Sequence, residues 1–248
     1  TTEIYTLSLH DALPIFKFFY KKLVIYYSHK NEINRNLSIL NIFDLENNRE
    51  IKLADVETNI PDSDKLSVEK LLKDRYIQDE DIRIAVAPGS VWKTKRWTDE
   101  GFSKLIKLFQ ERKFKPILVG SNSDIDICNK IESETGSINL AGKTTLPQLL
   151  ALLQKCKLTI TNDSSPTHLA GLTNCPVVTI FGPTSPIFGF APSGDNDLVI
   201  QNNDLKCRPC HIHGLNECPV KNFECMKSIK SEYVFDKIFE NKLLFNPE

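Results

Sequence analysis

The sequence predicts an α/β protein built on a parallel sheet covered by helices on both faces. Three observations carry this. From residue 82 onward, short β-branched and apolar runs alternate with segments whose apolar residues recur at helical spacing. The strand-like runs are almost wholly apolar, as strands buried on both faces are. Turns rich in Gly, Pro, Asn, Asp and Ser follow these runs, where sheets of this class bind ligands.

Taken in order, residues 1–16 resemble translated sequencing-adapter read-through and are read as non-native. A β-branched and aromatic run at 18–27 predicts a strand. Apolar residues Ile33, Leu37, Leu40 and Ile42 predict a helix over 29–45. Residues 46–81 are polar, with a helical pattern at Val68, Leu71 and Leu72, and read as the end of one domain and a linker. The expected organisation is therefore a non-native segment (1–16), the remnant of a first domain with its linker (17–80) and a ligand-binding domain (81–248).

Within the last of these, 82–87 is a buried-type strand ending at Pro88, Gly89 and Ser90. Thr98 caps a helix carrying Phe102, Leu105, Ile106 and Phe109. Strand 116–119, helix 125–134, short strand 138–140 and helix 146–155 follow. Strand 157–161 then runs into Asn162, Asp163, Ser164 and Ser165, four cap-type residues ahead of Pro166. Strands 177–181 and 198–201, a cysteine-bearing loop and a terminal helix over 232–244 complete the chain. The turns at 88–97, 120–124, 162–168 and 182–186 all fall at strand carboxyl ends and are expected to share one crevice.

The chain has 248 residues, 41% hydrophobic and 25% charged, with a formal net charge of −1. Such balance gives no electrostatic case for a nucleic-acid partner. No apolar run approaches the roughly 20 residues that span a bilayer. Seven cysteines, an odd number, fit a reduced cytoplasmic setting better than a disulfide framework.

Two stretches point to an anionic ligand. After the first strand, the Gly89 turn, the Ser90 hydroxyl and the cations Lys93, Lys95 and Arg96 have the makings of a diphosphate grip. A solvated basic loop anchored by Trp92 and Trp97 is the alternative. At 162–168, backbone N–H groups at a helix start suit a phosphate or hydroxyl-rich ligand, with His168 one turn on. An ordinary capped helix is the alternative there.

Together, Val86-Ala-Pro-Gly-Ser-Val-Trp-Lys-Thr-Lys-Arg-Trp97, Asn162-Asp-Ser-Ser-Pro-Thr-His-Leu-Ala170 and Phe181-Gly-Pro-Thr-Ser-Pro186 resemble, in order and spacing, glycosyltransferase family 9. These are the ADP-heptose:lipopolysaccharide heptosyltransferases, and the resemblance covers about residues 30–245. It implies a GT-B enzyme with two Rossmann-like domains, the C-terminal one holding the nucleotide-sugar donor, and no metal in the chemistry. It implies that Lys95 and Ser90 contact the donor diphosphate, and that Asp163, with the backbone of Ser164 and Ser165, holds donor sugar or phosphate beside His168. The family more often has Gly where Ser165 stands. The implied partners are ADP-heptose and a lipopolysaccharide inner-core acceptor, met by a cytoplasmic enzyme at the inner-membrane face. The family's Gly-Asp motif with the presumed general base has no match in residues 1–30, so the catalytic base is unknown and expected in a missing N-terminal part.

Cys207, Cys210, Cys218 and Cys225 have the ligand types of a structural zinc site, with reduced or partly paired thiols as the alternative. His211 and His213 are expected to be exposed loop residues. Two other functions stay open: another GT-B sugar-nucleotide enzyme such as an epimerase, against which the basic 93–97 stretch speaks, and a non-catalytic, zinc-organised nucleic-acid module at 207–225.

Overall fold

The computed structural model describes residues 30–43 and 51–244. The segment read as non-native (1–16) and the strand expected at 18–27 lie outside the described residues. Six strands form one wholly parallel sheet: β1 (Arg83–Ala87), β2 (Lys115–Leu118), β3 (Ile138–Asn139), β4 (Leu158–Asn162), β5 (Val177–Phe181) and β6 (Leu198–Gln201). Their order, β3-β2-β1-β4-β5-β6, is that of a doubly wound Rossmann-like sheet. The order reverses between β1 and β4, and the crevice beyond their carboxyl ends is therefore where a ligand fits.

Strand periodicity divides the core into two layers. Ile84 and Val86 of β1 face one cluster with α3 (Asp99–Glu111), α4 (Ile125–Thr135) and α8 (Ser231–Glu240). Ala85 and Ala87 face the other, with α2 (Asp62–Lys73), α5 (Leu146–Gln154) and α6 (Ser165–Leu172). Phe102 and Phe109 on α3 are fully buried, each contributing about 1.5–3 kcal/mol relative to exposure. Helix starts follow the local signals. Thr98 accepts from the Gly101 N–H at 3.0 Å, and Thr145 forms a capping box with Gln148.

Two regions depart from expectation. Among the described residues of the helix expected over 29–45, α1 (Glu32–Leu37) is α-helical and the chain then tightens into a 3₁₀ turn over Ser38–Phe43. The Ser38 hydroxyl donates to the Arg35 carbonyl there, a local bond that competes with the helical ladder. The helical pattern in the expected linker is α2, whose Val68 and Leu72 are buried in the same core as β1. A last short helix, α7 (Glu224–Lys227), places Cys225 and Met226 in the opposite layer. Among the described residues, no helix is long and apolar enough to cross a membrane.

Candidate functional site

The crevice at the β1/β4 switch point opens into a cavity of about 670 Å³. All six residues singled out from sequence for ligand contact, Ser90, Lys95, Asp163, Ser164, Ser165 and His168, line it. They arrive on two turns that leave adjacent parallel strands, 88–97 after β1 and 163–168 after β4. The turn at 120–124 forms a further wall. The turn at 182–186, expected to share the crevice, does not line it; its Thr184 is bonded to Asp163 instead.

Among the described lysines and arginines, Lys95 is the one that lines the cavity. Its Nζ lies 2.6 Å from Asp163 Oδ2, with both side chains nearly buried. The Thr184 hydroxyl donates to the same oxygen at 2.7 Å. The grip expected from three cations reduces to this one. Lys93 is exposed and outside the cavity lining, and Arg96 turns back to donate to the Ser90 carbonyl at 2.8 Å. Lys93–Lys95 form a 3₁₀ turn with Arg96 as its C-cap, and in such winding side chains three apart share a side, so Lys93 and Arg96 both stand off the face that Lys95 presents to the cavity.

The start of α6 is open. Ser164 occupies the N-cap position, yet its side chain makes no capping bond. It pairs instead with Thr161 Oγ1 at 3.2 Å and the Asn162 carbonyl at 3.3 Å. Pro166 has no N–H and the Thr167 N–H donates to the Ser164 carbonyl at 3.0 Å, so the N–H groups of Ser164 and Ser165 are the ones left for a ligand, at the positive end of the helix dipole. His168 sits one turn along. Burial holds its pKa below the usual imidazole value against the pull of Asp163, and Lys95 adds to the lowering.

Several participants escaped the sequence reading. Asp124 lines the cavity, and its Oδ2 accepts from Ser121 N–H at 2.9 Å and Ser121 Oγ at 2.7 Å. Ile212 and His213 line it too; His213 is exposed, as expected of a loop residue. The cysteine-bearing loop braces the Lys95 turn. Thr94 N–H donates to the Leu215 carbonyl at 3.0 Å, and Leu215 N–H to Thr94 Oγ1 at 2.8 Å. At Gly214, φ is +96° and a Cβ would stand 2.8 Å from Lys95 Cγ, so only glycine lets the loop close on the lysine stem. No local sequence signal marks these contacts beyond Gly214 itself.

Of the two readings of Cys207, Cys210, Cys218 and Cys225, the structure shows free thiols and gives the zinc site no support. Among the described residues, no group of three or more His, Cys, Asp or Glu side chains is placed to hold a metal ion. The thiols are used locally: Cys210 Sγ donates to the Cys207 carbonyl at 2.9 Å, Cys218 Sγ is 4.0 Å from Asn222 Oδ1, and Cys225 is buried in the core.

Comparison with known proteins gives a consistent result. The model of glycosyltransferase family 9 (heptosyltransferase) matches residues 12–220. Lipooligosaccharide heptosyltransferase 2 of Campylobacter jejuni is 29% identical over 221 residues, covering 86% of this chain and 67% of that protein. A family 9 glycosyl transferase crystal structure from Veillonella parvula superposes with a TM-score of 0.77 at 22% identity, covering 94% of this chain and 65% of that one. The structure of E. coli ADP-heptose lps heptosyltransferase II superposes with a TM-score of 0.61 at 25% identity, covering 76% of this chain and 53% of that one. The chain thus spans between about half and two thirds of the length of these proteins.

Proposed function

Since the chain belongs to glycosyltransferase family 9, we propose that the β1/β4 crevice binds the diphosphate of a nucleotide-sugar donor, ADP-heptose, for heptose transfer to a lipopolysaccharide inner-core acceptor. The observation that carries this is the convergence of Lys95 with the uncapped start of α6 at the topological switch point. A cation and the two free N–H groups of Ser164 and Ser165 at one cavity match a diphosphate in charge and in hydrogen-bond sense. Ser90 adds a hydroxyl, and the backbone at Ser164 and Ser165 adds donors. Asp124 Oδ1, which makes no hydrogen bond among the described residues, is a ready acceptor for a sugar or ribose hydroxyl. The names of the similar heptosyltransferases support the choice of sugar, and the family match leaves the epimerase and nucleic-acid readings without support.

In this reading the donor diphosphate draws Lys95 away from Asp163 and gains negative charge as the glycosidic bond breaks. Lys95 and the α6 N-terminus are already in place to stabilise that charge. Asp163, freed from the lysine and still held by Thr184, faces hydroxyls of the donor sugar, with neutral His168 beside it. Asp163 is committed to the donor sugar in this reading, so the base that activates the acceptor hydroxyl is sought in the family's Gly-Asp motif instead. On this reading the enzyme works in the cytoplasm and meets its acceptor at the membrane surface, which the lipooligosaccharide heptosyltransferase relatives support.

Titration calorimetry tests the donor site. ADP and ADP-heptose are expected to bind the 248-residue chain, and Lys95→Ala to weaken binding about tenfold or more, the scale of one charge-assisted hydrogen bond. Equal affinity in the variant would remove Lys95 from the site.

A further inference from the structure

Asn162 closes β4 and is completely buried. It is absent from the cavity lining, whereas its neighbour Asp163 is part of it. Its amide is used up by one loop. Nδ2 donates to the Pro88 carbonyl at 2.8 Å and reaches the Gly89 carbonyl at 3.4 Å. Oδ1 accepts from the Trp97 N–H at 2.8 Å. A single planar group therefore ties both ends of the turn that carries Ser90 and Lys95. The far end is fixed a second time, because the buried Trp97 indole donates to the Ile229 carbonyl at 3.1 Å.

We propose that Asn162 is a positioning residue for the diphosphate site, setting where Lys95 stands relative to the start of α6 without touching the ligand. This rests on the diphosphate reading above and deepens it. The chemistry demands an amide. Only Asn offers a donor and an acceptor at this reach, one for a carbonyl and one for an N–H. An aspartate keeps the acceptor for Trp97 but turns a second oxygen on the Pro88 carbonyl. An alanine leaves the buried Trp97 N–H without its side-chain acceptor, and the 88–97 turn is released from β4. Lys95 then has more positions to lose on binding a phosphate, and affinity falls through the loss of preorganisation.

The test is a double-substitution cycle read by ADP calorimetry on the full chain, with thermal melting in parallel. Asn162→Ala is expected to weaken ADP binding about tenfold. In a Lys95→Ala background the same change is expected to cost less than about twofold, because the group it positions is gone. Ile131→Ala, a core truncation on α4, serves as the destabilised control, expected to melt earlier yet bind ADP like the parent. If Asn162→Ala does not fold, Asn162→Asp replaces it in the cycle, with the same coupling to Lys95 expected. Unchanged ADP affinity in the Asn162 variant, or losses that simply add to those of Lys95→Ala, overturns the proposal while leaving the diphosphate reading intact. Failure of the unsubstituted chain to bind ADP overturns both.

Discussion

The Asp124 carboxylate lies against the α-carbon of Gly89, so close that a Cβ built on Gly89 would overlap it. These two residues belong to turns after neighbouring strands, β1 and β2, and their contact sets the width of the crevice between them. No unusual backbone angle bars a side chain at 89, but a Cβ there would have to push aside the end of the Asp124 side chain, which Ser121 holds in place. Gly89→Ala is therefore expected to destabilise the fold by about 1–3 kcal/mol, the usual scale of overpacking, and to displace Asp124 from the cavity wall. Urea unfolding measures the first effect. Adding Asp124→Ala in the same chain should restore most of the lost stability, and a failure to do so would mean that the strain lies elsewhere.

Thr184 supplies a hydrogen bond to a nearly buried carboxylate, Asp163, from 21 residues away. Thr184→Val keeps the shape and removes the donor. Hydrogen bonds to charged groups contribute about 1.5–3 kcal/mol, so a loss of that size is expected in urea unfolding at neutral pH. A variant as stable as the parent would show that Lys95 alone satisfies Asp163.

His168 gives the site a pH signature. Because burial depresses its folded-state pKa, the unfolded chain binds a proton at pH values where the folded chain does not. Stability therefore rises with pH through the window just below the unfolded value of about 6.5 and is lost as pH falls through it. In His168→Gln that part of the slope should vanish. Unfolding free energies across about pH 5 to 7 decide the matter; an unchanged slope in the variant would assign the dependence to other groups.

Much of the scaffold was written in local sequence. Strands β1, β4, β5 and β6 follow β-branched runs, α3 and α5 begin at threonine caps, and the six candidate ligand residues sit on turns that chain chemistry alone marks. Caps, turns and strand runs depend on neighbours a few residues away, which is why they can be read without a structure. The helix over 29–45 was overextended because the Ser38 hydroxyl competes for a helix carbonyl, a contest that periodicity does not register.

By itself, then, the sequence determined an α/β domain with polar turns at its strand ends and a chain of residues suited to a phosphate. Only the tertiary structure decided which of those residues act together. The strand order placed the turns after β1 and β4 side by side. That adjacency let Asn162 hold the Trp97 N–H and let Lys95 meet Asp163, and the turn after β5 brought Thr184 to the same carboxylate. It also turned Lys93 and Arg96 away from the cavity, drew α2 from an expected linker into the core and brought Cys207, Cys210, Cys218 and Cys225 near one another without metal-holding geometry. The physical reason is distance along the chain: these partners stand 21 to 68 residues apart, and no local propensity encodes contacts that exist only once the sheet has closed.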